Sequence, residues 1–488
     1  MTLAPFFIFI FLSIVIPGLL LGNIEGNLSV IFFFTYTIVL WSSLRLSYTA
    51  LGGRRRYSLL FFYVFVYVFL GVQPTISVWS QIWPHSELPF PDELLSYTIF
   101  LVLAGILGFE IGYYRLKDMF KGQPILMKSP EPPVRLPSIS INKLWIGSIL
   151  STVLVVLAMM RYGPNIFLAL RDGGFSVSEF QGPGSSQAEN MLVIFGLRGF
   201  AAALLFIVLY IWREKNILIA KKQIWRLKVL LGYLLFLNLI LSNPLNAPRL
   251  WAGGVILTGM LISMRWNGSK SFLSWATITS MAFLLLFSGT DPRRIFGQQI
   301  MRGEEITFAN TAREVGVAIR GLPGDLNFDS FQMIGFTTGY TDQFGYSWGN
   351  QILLPAFFWV PRSIWSSKPI GTPDMVAENA NLLHFNVSSP LWAEGFINFG
   401  IPGLILFLFL FGLAARSADE SLAHKSVRPP FATIISSFFA ANTFILLRGD
   451  LTSGTMYLQM VAGITFILLF LIKKERVSEY SGYDKKNY

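Results

Sequence analysis

No cysteine occurs in this chain, which excludes disulfides, thiolate metal sites and a cysteine nucleophile. Histidine is almost as scarce: His85, His384 and His424 are too scattered to read as a zinc site. Charged residues make up only 13%, against roughly a quarter in an ordinary soluble domain, and a soluble enzyme is thereby excluded. Some motifs are missing as well. Without a Gly-x-x-x-x-Gly-Lys-Ser/Thr loop, direct use of ATP is not expected, and the lack of His-Glu-x-x-His disfavours a zinc protease. Nor is there an Asp-x-Asp pair to hold a divalent metal on a nucleotide-sugar, so a transferase here would use a lipid-linked donor. The space is filled by apolar sequence. Of 488 residues, 53% are hydrophobic, and they arrive in separate blocks of about 20, each able to cross a bilayer as a helix.

The runs 3–22, 28–44, 58–78, 95–113, 144–160, 191–211, 229–243, 250–264, 272–289, 392–415, 431–447 and 455–472 predict an all-α polytopic membrane protein of about 12 spans. The first run has neither a basic n-region nor a small-residue cleavage site, so it reads as a retained helix. Arg45 with Arg54 to Arg56 follows span two, and six basic residues from Arg115 to Lys143 follow span four. Lys215 to Lys228 follow span six, Arg265 and Lys270 span eight, Arg416, Lys425 and Arg428 span ten, and Lys473, Lys474 and Arg476 span twelve. Every even loop is basic, which predicts both termini in the cytoplasm. Topology thus accounts for the net charge of +11, and no nucleic-acid partner need be invoked. The chain divides into membrane helices over 1–289, an outer loop over 290–391, three further spans over 392–472 and a cytoplasmic tail over 473–488.

A loop as long as 290–391 is usually functional. Within it, 296–320 reads as an amphipathic helix, and Gln351–Val360 as a re-entrant or interfacial piece too short to span. Pro361, Pro369 and Pro373 then break any helix. The match Gly345-Tyr346-Ser347-Trp348-Gly349 to a nucleophile elbow lacks the preceding strand an elbow needs.

A second set of charges defies the positive-inside expectation. Arg198 lies inside span six, where an arginine costs roughly 2.5–3.5 kcal/mol on insertion scales and normally has a partner. Arg249, Arg293, Arg294, Arg362 and Arg448 also fall near the outer boundary. Guanidinium forks suit bidentate binding of phosphate, so these segments predict an anionic ligand there, a phosphate or pyrophosphate. Snorkelling to headgroups and a pairing of Arg448 with Asp450 are the structural alternatives. Glu394, at the outer entrance to span ten, is the candidate general base, with Asp329 and His384 in reserve. Asp342, Asp374 and Glu378 share the loop. Trp348, Trp365, Tyr340 and Tyr346 are candidates to stack on sugar rings or to anchor at the interface.

The run Phe328-Asp329, Leu354-Pro355, Pro361 to Pro369 and Glu394-Gly395-Phe396-Ile397-Asn398-Phe399-Gly400-Ile401-Pro402-Gly403, with Arg448-Gly449-Asp450, resembles the oligosaccharide repeat-unit polymerases, the Wzy-type O-antigen polymerases of bacteria. The resemblance implies a GT-C-like membrane glycosyltransferase of the inner membrane, its active site facing the periplasm. It implies transfer of a growing glycan from undecaprenyl pyrophosphate to a fresh lipid-linked repeat unit, without a cofactor. Partners implied are undecaprenyl-pyrophosphate-linked oligosaccharides, membrane lipid, and chain-length regulator and flippase proteins. The leaving group needs positive charge and the acceptor hydroxyl needs a base; the outer arginines and Glu394 meet these needs without a metal. Rival readings are an O-antigen ligase, which transfers glycan to lipid A core, and a flippase or anion transporter. A transporter should carry its charges near the midplane in two related halves, and the sequence shows neither.

Overall fold

The computed structural model describes residues 4–51, 56–86, 90–121, 137–168, 187–214, 221–243, 247–263, 320–360, 362–383, 387–423 and 428–477, with single positions at 88, 307, 310, 313, 316 and 317. The protein is helical apart from one pair of short strands, among the described residues. We label its main helices α1 (Pro5–Leu21), α2 (Val30–Leu51), α3 (Tyr57–Ser80), α4 (Asp92–Lys121), α5 (Ile141–Tyr162), α6 (Gln187–Arg213), α7 (Ile224–Leu241) and α8 (Arg249–Ser263). Then follow α9 (Ser330–Phe344), α10 (Asn350–Ala356), α11 (Thr372–Asn379), α12 (Leu391–Ala423), α13 (Pro430–Arg448) and α14 (Leu451–Ile472).

Nine of these, α2 to α7 and α12 to α14, are long and apolar enough to cross a membrane, among the described residues. Helices α1 and α8 are shorter, and the expected ninth span, 272–289, lies outside the described residues. The predicted amphipathic helix at 296–320 lies almost entirely outside them too. The expected tail begins as a strand, Lys473–Val477, which pairs antiparallel with Pro137–Ile139.

The chain folds as two compact units interleaved in sequence. The first comprises residues 1–119, 266–419 and 442–456. Its centre is α3, buried along almost its whole length, and the stripe Phe62, Phe65 and Phe69 at helical spacing organises what surrounds it. Phe62 stacks on Phe109 of α4, and Phe65 on Trp392 of α12. Phe69 meets Phe444 of α13 and Phe328, each with ring centroids 5.1 Å apart. Small residues allow α4 to approach α12 closely. A Cβ at Gly108 would lie 2.8 Å from the Ile405 carbonyl oxygen, and one at Gly112 would collide with that of Phe409. This is the small-residue packing of membrane helices, where lipid supplies no hydrophobic drive and close van der Waals contact takes its place. At the far end of α3, Asp419 accepts from the N–H groups of Ser58 and Leu59, at 2.8 and 3.2 Å, and so caps the helix start from α12.

The second unit holds residues 120–265, 420–441 and 457–488. Helix α6 is its most buried span, and Asn238 of α7 donates to the Ala201 carbonyl of α6 at 3.0 Å. Helices α5 and α14 bury only 28% of their apolar windows. They leave outward Ile149, Val153, Phe466 and Phe470, as a lipid-facing helix does.

Candidate active site

Three charged residues singled out by sequence, Asp329, Glu394 and Arg448, are gathered within the first unit. Each follows closely after an aromatic ring seated on α3: Asp329 after Phe328, Glu394 two residues after Trp392, Arg448 four after Phe444. Burial of large rings is the strongest positional restraint available to these segments, so the aromatic column fixes the polar residues that ride on it.

Glu394 lies on a short first piece of α12. Phe399 (φ −145°, ψ 23°) and Gly400 (φ 64°, ψ −149°) break the helix, and Pro402 removes an N–H just beyond. The break frees the carbonyls of Ile397 and Asn398, which accept from the N–H groups of Ser347 and Trp348 at 2.8 and 3.1 Å. The Gly345–Gly349 segment is therefore a cap on a helix break. It connects α9 to α10 with no strand before it, as expected for a chance match to the nucleophile elbow. Gly400 is required twice over, for its positive φ and because a Cβ there would sit 2.9 Å from the Tyr346 hydroxyl.

The Glu394 side chain is 2% exposed, more deeply buried than its place at a helix entrance implies. Its carboxylate accepts three hydrogen bonds. Thr372 donates to Oε2 at 2.8 Å, Ser389 to Oε1 at 2.8 Å, and the Leu451 N–H to Oε1 at 3.2 Å. Glu394 thus joins the starts of α11, α12 and α14. Asp450 caps α14 by accepting from the Ser453 N–H at 3.0 Å.

Arg448 does not pair with Asp450. Its Nε donates to the Asn327 carbonyl at 3.1 Å and its Nη2 lies 3.7 Å from Asp329 Oδ1. Asp329 Oδ2 in turn accepts from the Ser388 N–H at 2.9 Å and lies 3.6 Å from His85 Nε2. Burial pushes the Asp329 carboxyl up, but His85, Arg448 and Ser388 outweigh it and hold the group below its ordinary value. Such a carboxylate is a weak base and a good anchor for a guanidinium. Asp374 is the opposite case: burial, Asp450 and Glu378 push its carboxyl up.

Compared with protein-family models, with curated proteins and with solved structures, the chain matches none. The site therefore rests on its own geometry.

Several predicted residues lie elsewhere. Arg362 donates to the carbonyls of Lys368 and Pro369 at 2.7 and 3.0 Å, closing its own loop. Trp365 bonds Ser367 at 3.1 Å, while Tyr346 and Trp348 pack edge-on beside the helix break. Tyr340 pairs with Phe344 on α9. Arg198 and Arg249 belong to the second unit. Arg198 is buried and donates to the Leu241 carbonyl at 2.8 Å, so the negative end of α7 receives its charge. Arg249 opens α8. Arg293, Arg294 and His384 lie outside the described residues.

Sequence reasoning missed His85, Thr372, Ser388 and Ser389. Ser388-Ser389-Pro390 ahead of an apolar run is a readable helix start. His85 gave no signal. The Gln332 side chain brackets its backbone, accepting from His85 N–H at 3.0 Å and donating to its carbonyl at 3.1 Å.

Proposed function

We propose that the protein polymerises oligosaccharide repeat units carried on a lipid pyrophosphate, at the outer face of the membrane. In this reading Arg448, held by Asp329 and the Asn327 carbonyl, neutralises the departing pyrophosphate. The glycan's anomeric carbon passes to a sugar hydroxyl of the next repeat unit, and that hydroxyl's proton passes to Glu394. The Thr372 and Ser389 hydroxyls already donate to Glu394, so either can hand on a proton from an acceptor. The observation that carries the reading is the turn Arg448–Leu451, which presents a guanidinium at one end and an N–H bonded to Glu394 at the other. A charge for the leaving group and a base for the nucleophile are thereby set on one short segment.

The expected topology is twelve spans with both termini cytoplasmic. The pairing of Pro137–Ile139 with Lys473–Val477 supports it, because the loop after the fourth span and the tail then share one side.

The test is direct. Purified full-length protein in lipid nanodiscs is given a synthetic lipid-pyrophosphate repeat unit, and the products are resolved by size. A ladder of polymer is expected, with its yield falling about a hundredfold in Arg448→Ala, within the range for losing one preorganised charge. Folded wild-type protein that makes no ladder would overturn the proposal. An unaffected ladder in Arg448→Ala would remove that residue from the site.

A further inference from the structure

Beside α11 the first unit opens a cavity of about 380 Å³, within the roughly 300–1,000 Å³ of small-molecule sites. Tyr340 and Phe344 form one wall, their rings 5.0 Å apart and inclined by 30°, an apolar face of two rings. The polar groups are Asn350, Gln351, Asn379 and Glu378. Among the described residues no protein group hydrogen-bonds the side chains of Asn350, Asn379 or Glu378, or the Tyr340 hydroxyl. Aromatic faces flanked by free amides suit a ligand with C–H faces and a rim of hydroxyls, which is the chemistry of a sugar ring.

The charge is one-sided. Among the described residues, Glu378 is the single carboxylic acid lining the cavity and no cation lines it. The two nearby in sequence are turned to backbone carbonyls, Arg362 to Lys368 and Pro369, and Lys368 Nζ to Phe358 and Val360 at 2.7 and 2.9 Å. An acidic sugar would thus meet a carboxylate with no partner for its own charge. The cavity and Glu394 also share contact with one helix, α11. Thr372, which donates to that carboxylate, starts the helix whose later residues Glu378 and Asn379 line the cavity.

We infer that this cavity is a saccharide subsite that accepts uncharged or N-acetylated sugars and rejects uronic acids. The inference rests on the function proposed above and specifies its substrate class. The test omits the lipid donor, so saccharide capture stands or falls separately from polymer formation. Full-length protein in nanodiscs is mixed in turn with maltotriose, tri-N-acetylchitotriose and trigalacturonate, and binding is read by saturation-transfer NMR. Transfer is expected to one or both of the first two, reduced about fivefold or more in Tyr340→Ala and in the exposed Asn350→Ala. Trigalacturonate should bind only once Glu378→Gln removes the repelling carboxylate. The inference is overturned if neither neutral probe binds, if both variants bind as wild type does, or if trigalacturonate binds wild type as well as the neutral probes.

Discussion

A carboxylate with three donors is either a structural junction or a base held ready, and Glu394 separates the two roles by substitution. Glu394→Ala leaves the donors Thr372, Ser389 and Leu451 without an acceptor, at a cost on the order of 1–3 kcal/mol for each group that water does not reach. It should lower the thermal unfolding temperature in detergent whichever role is correct. Glu394→Gln keeps an acceptor oxygen but removes the base, so it should unfold near the wild type while polymer yield falls about a hundredfold or more. Full activity in Glu394→Gln would make the residue purely structural. Asp329 yields a prediction in pH. Its folded-state carboxyl lies below the ordinary value, so its ionised form contributes stability that is complete above about pH 4 and lost as pH falls through the folded value. The gap in unfolding temperature between wild type and Asp329→Asn should therefore hold steady from neutral pH down to about pH 5 and close in stronger acid. A gap that stayed fully open in strong acid would contradict the assigned role of Asp329 as an ionised anchor for Arg448.

Between residue and molecule, the site depends on how two elements are shaped. The break in α12 turns its first piece, with Trp392 and Glu394, away from the long span, and Gly400 makes the break possible. Gly400→Ala meets both a positive φ, worth about 1–3 kcal/mol for a non-glycine residue, and the Tyr346 hydroxyl. Activity and stability should both fall. Gly112→Ala should fail more severely, because there the obstacle is the Phe409 backbone, which has no rotamer to give way. Gly339→Ala on α9 is the control. Its added Cβ meets nothing within 4 Å, and alanine within a helix gains about 0.5–1 kcal/mol over glycine, so this variant should be as stable as the wild type or more so. Equal losses in all three variants would show that glycine content alone, and not close approach or backbone conformation, governs these helices.

For the whole molecule, what the sequence makes legible is what a single segment can carry. An apolar window declares a span without reference to any neighbour, which is why the described spans fall where hydropathy puts them. The same property hides their surroundings: α3 and α5 have mean hydropathies of 2.0 and 1.9, yet 94% of one window is buried inside the protein and 28% of the other. Lipid and protein interior are equally apolar, so composition does not distinguish them. The site divides in the same way. Asp329, Glu394 and Arg448 stand out as charges beside an apolar boundary, whereas His85 is bracketed by Gln332 from 247 residues away, a contact that only folding creates. Sidedness is likewise a property of the whole chain, and here the absence of cysteine becomes an experimental advantage. Single cysteines at Ser366, in the segment expected outside, and at Glu475, in the paired strand, would be the sole targets in their variants for a membrane-impermeant maleimide. In cells stripped of their outer envelope, Ser366→Cys should label at once and Glu475→Cys only after the membrane is opened. The reverse pattern would invert the topology and place Glu394 and Arg448 on the cytoplasmic side, away from any lipid-linked substrate displayed outside. Labelling of both positions in intact cells would mean an odd number of spans between the outer segment and the tail has been miscounted. The expected pattern would leave the outer arginines as the minority of positive charge that topology does not explain, with Arg448 anchored on Asp329 as the one best placed to meet a pyrophosphate.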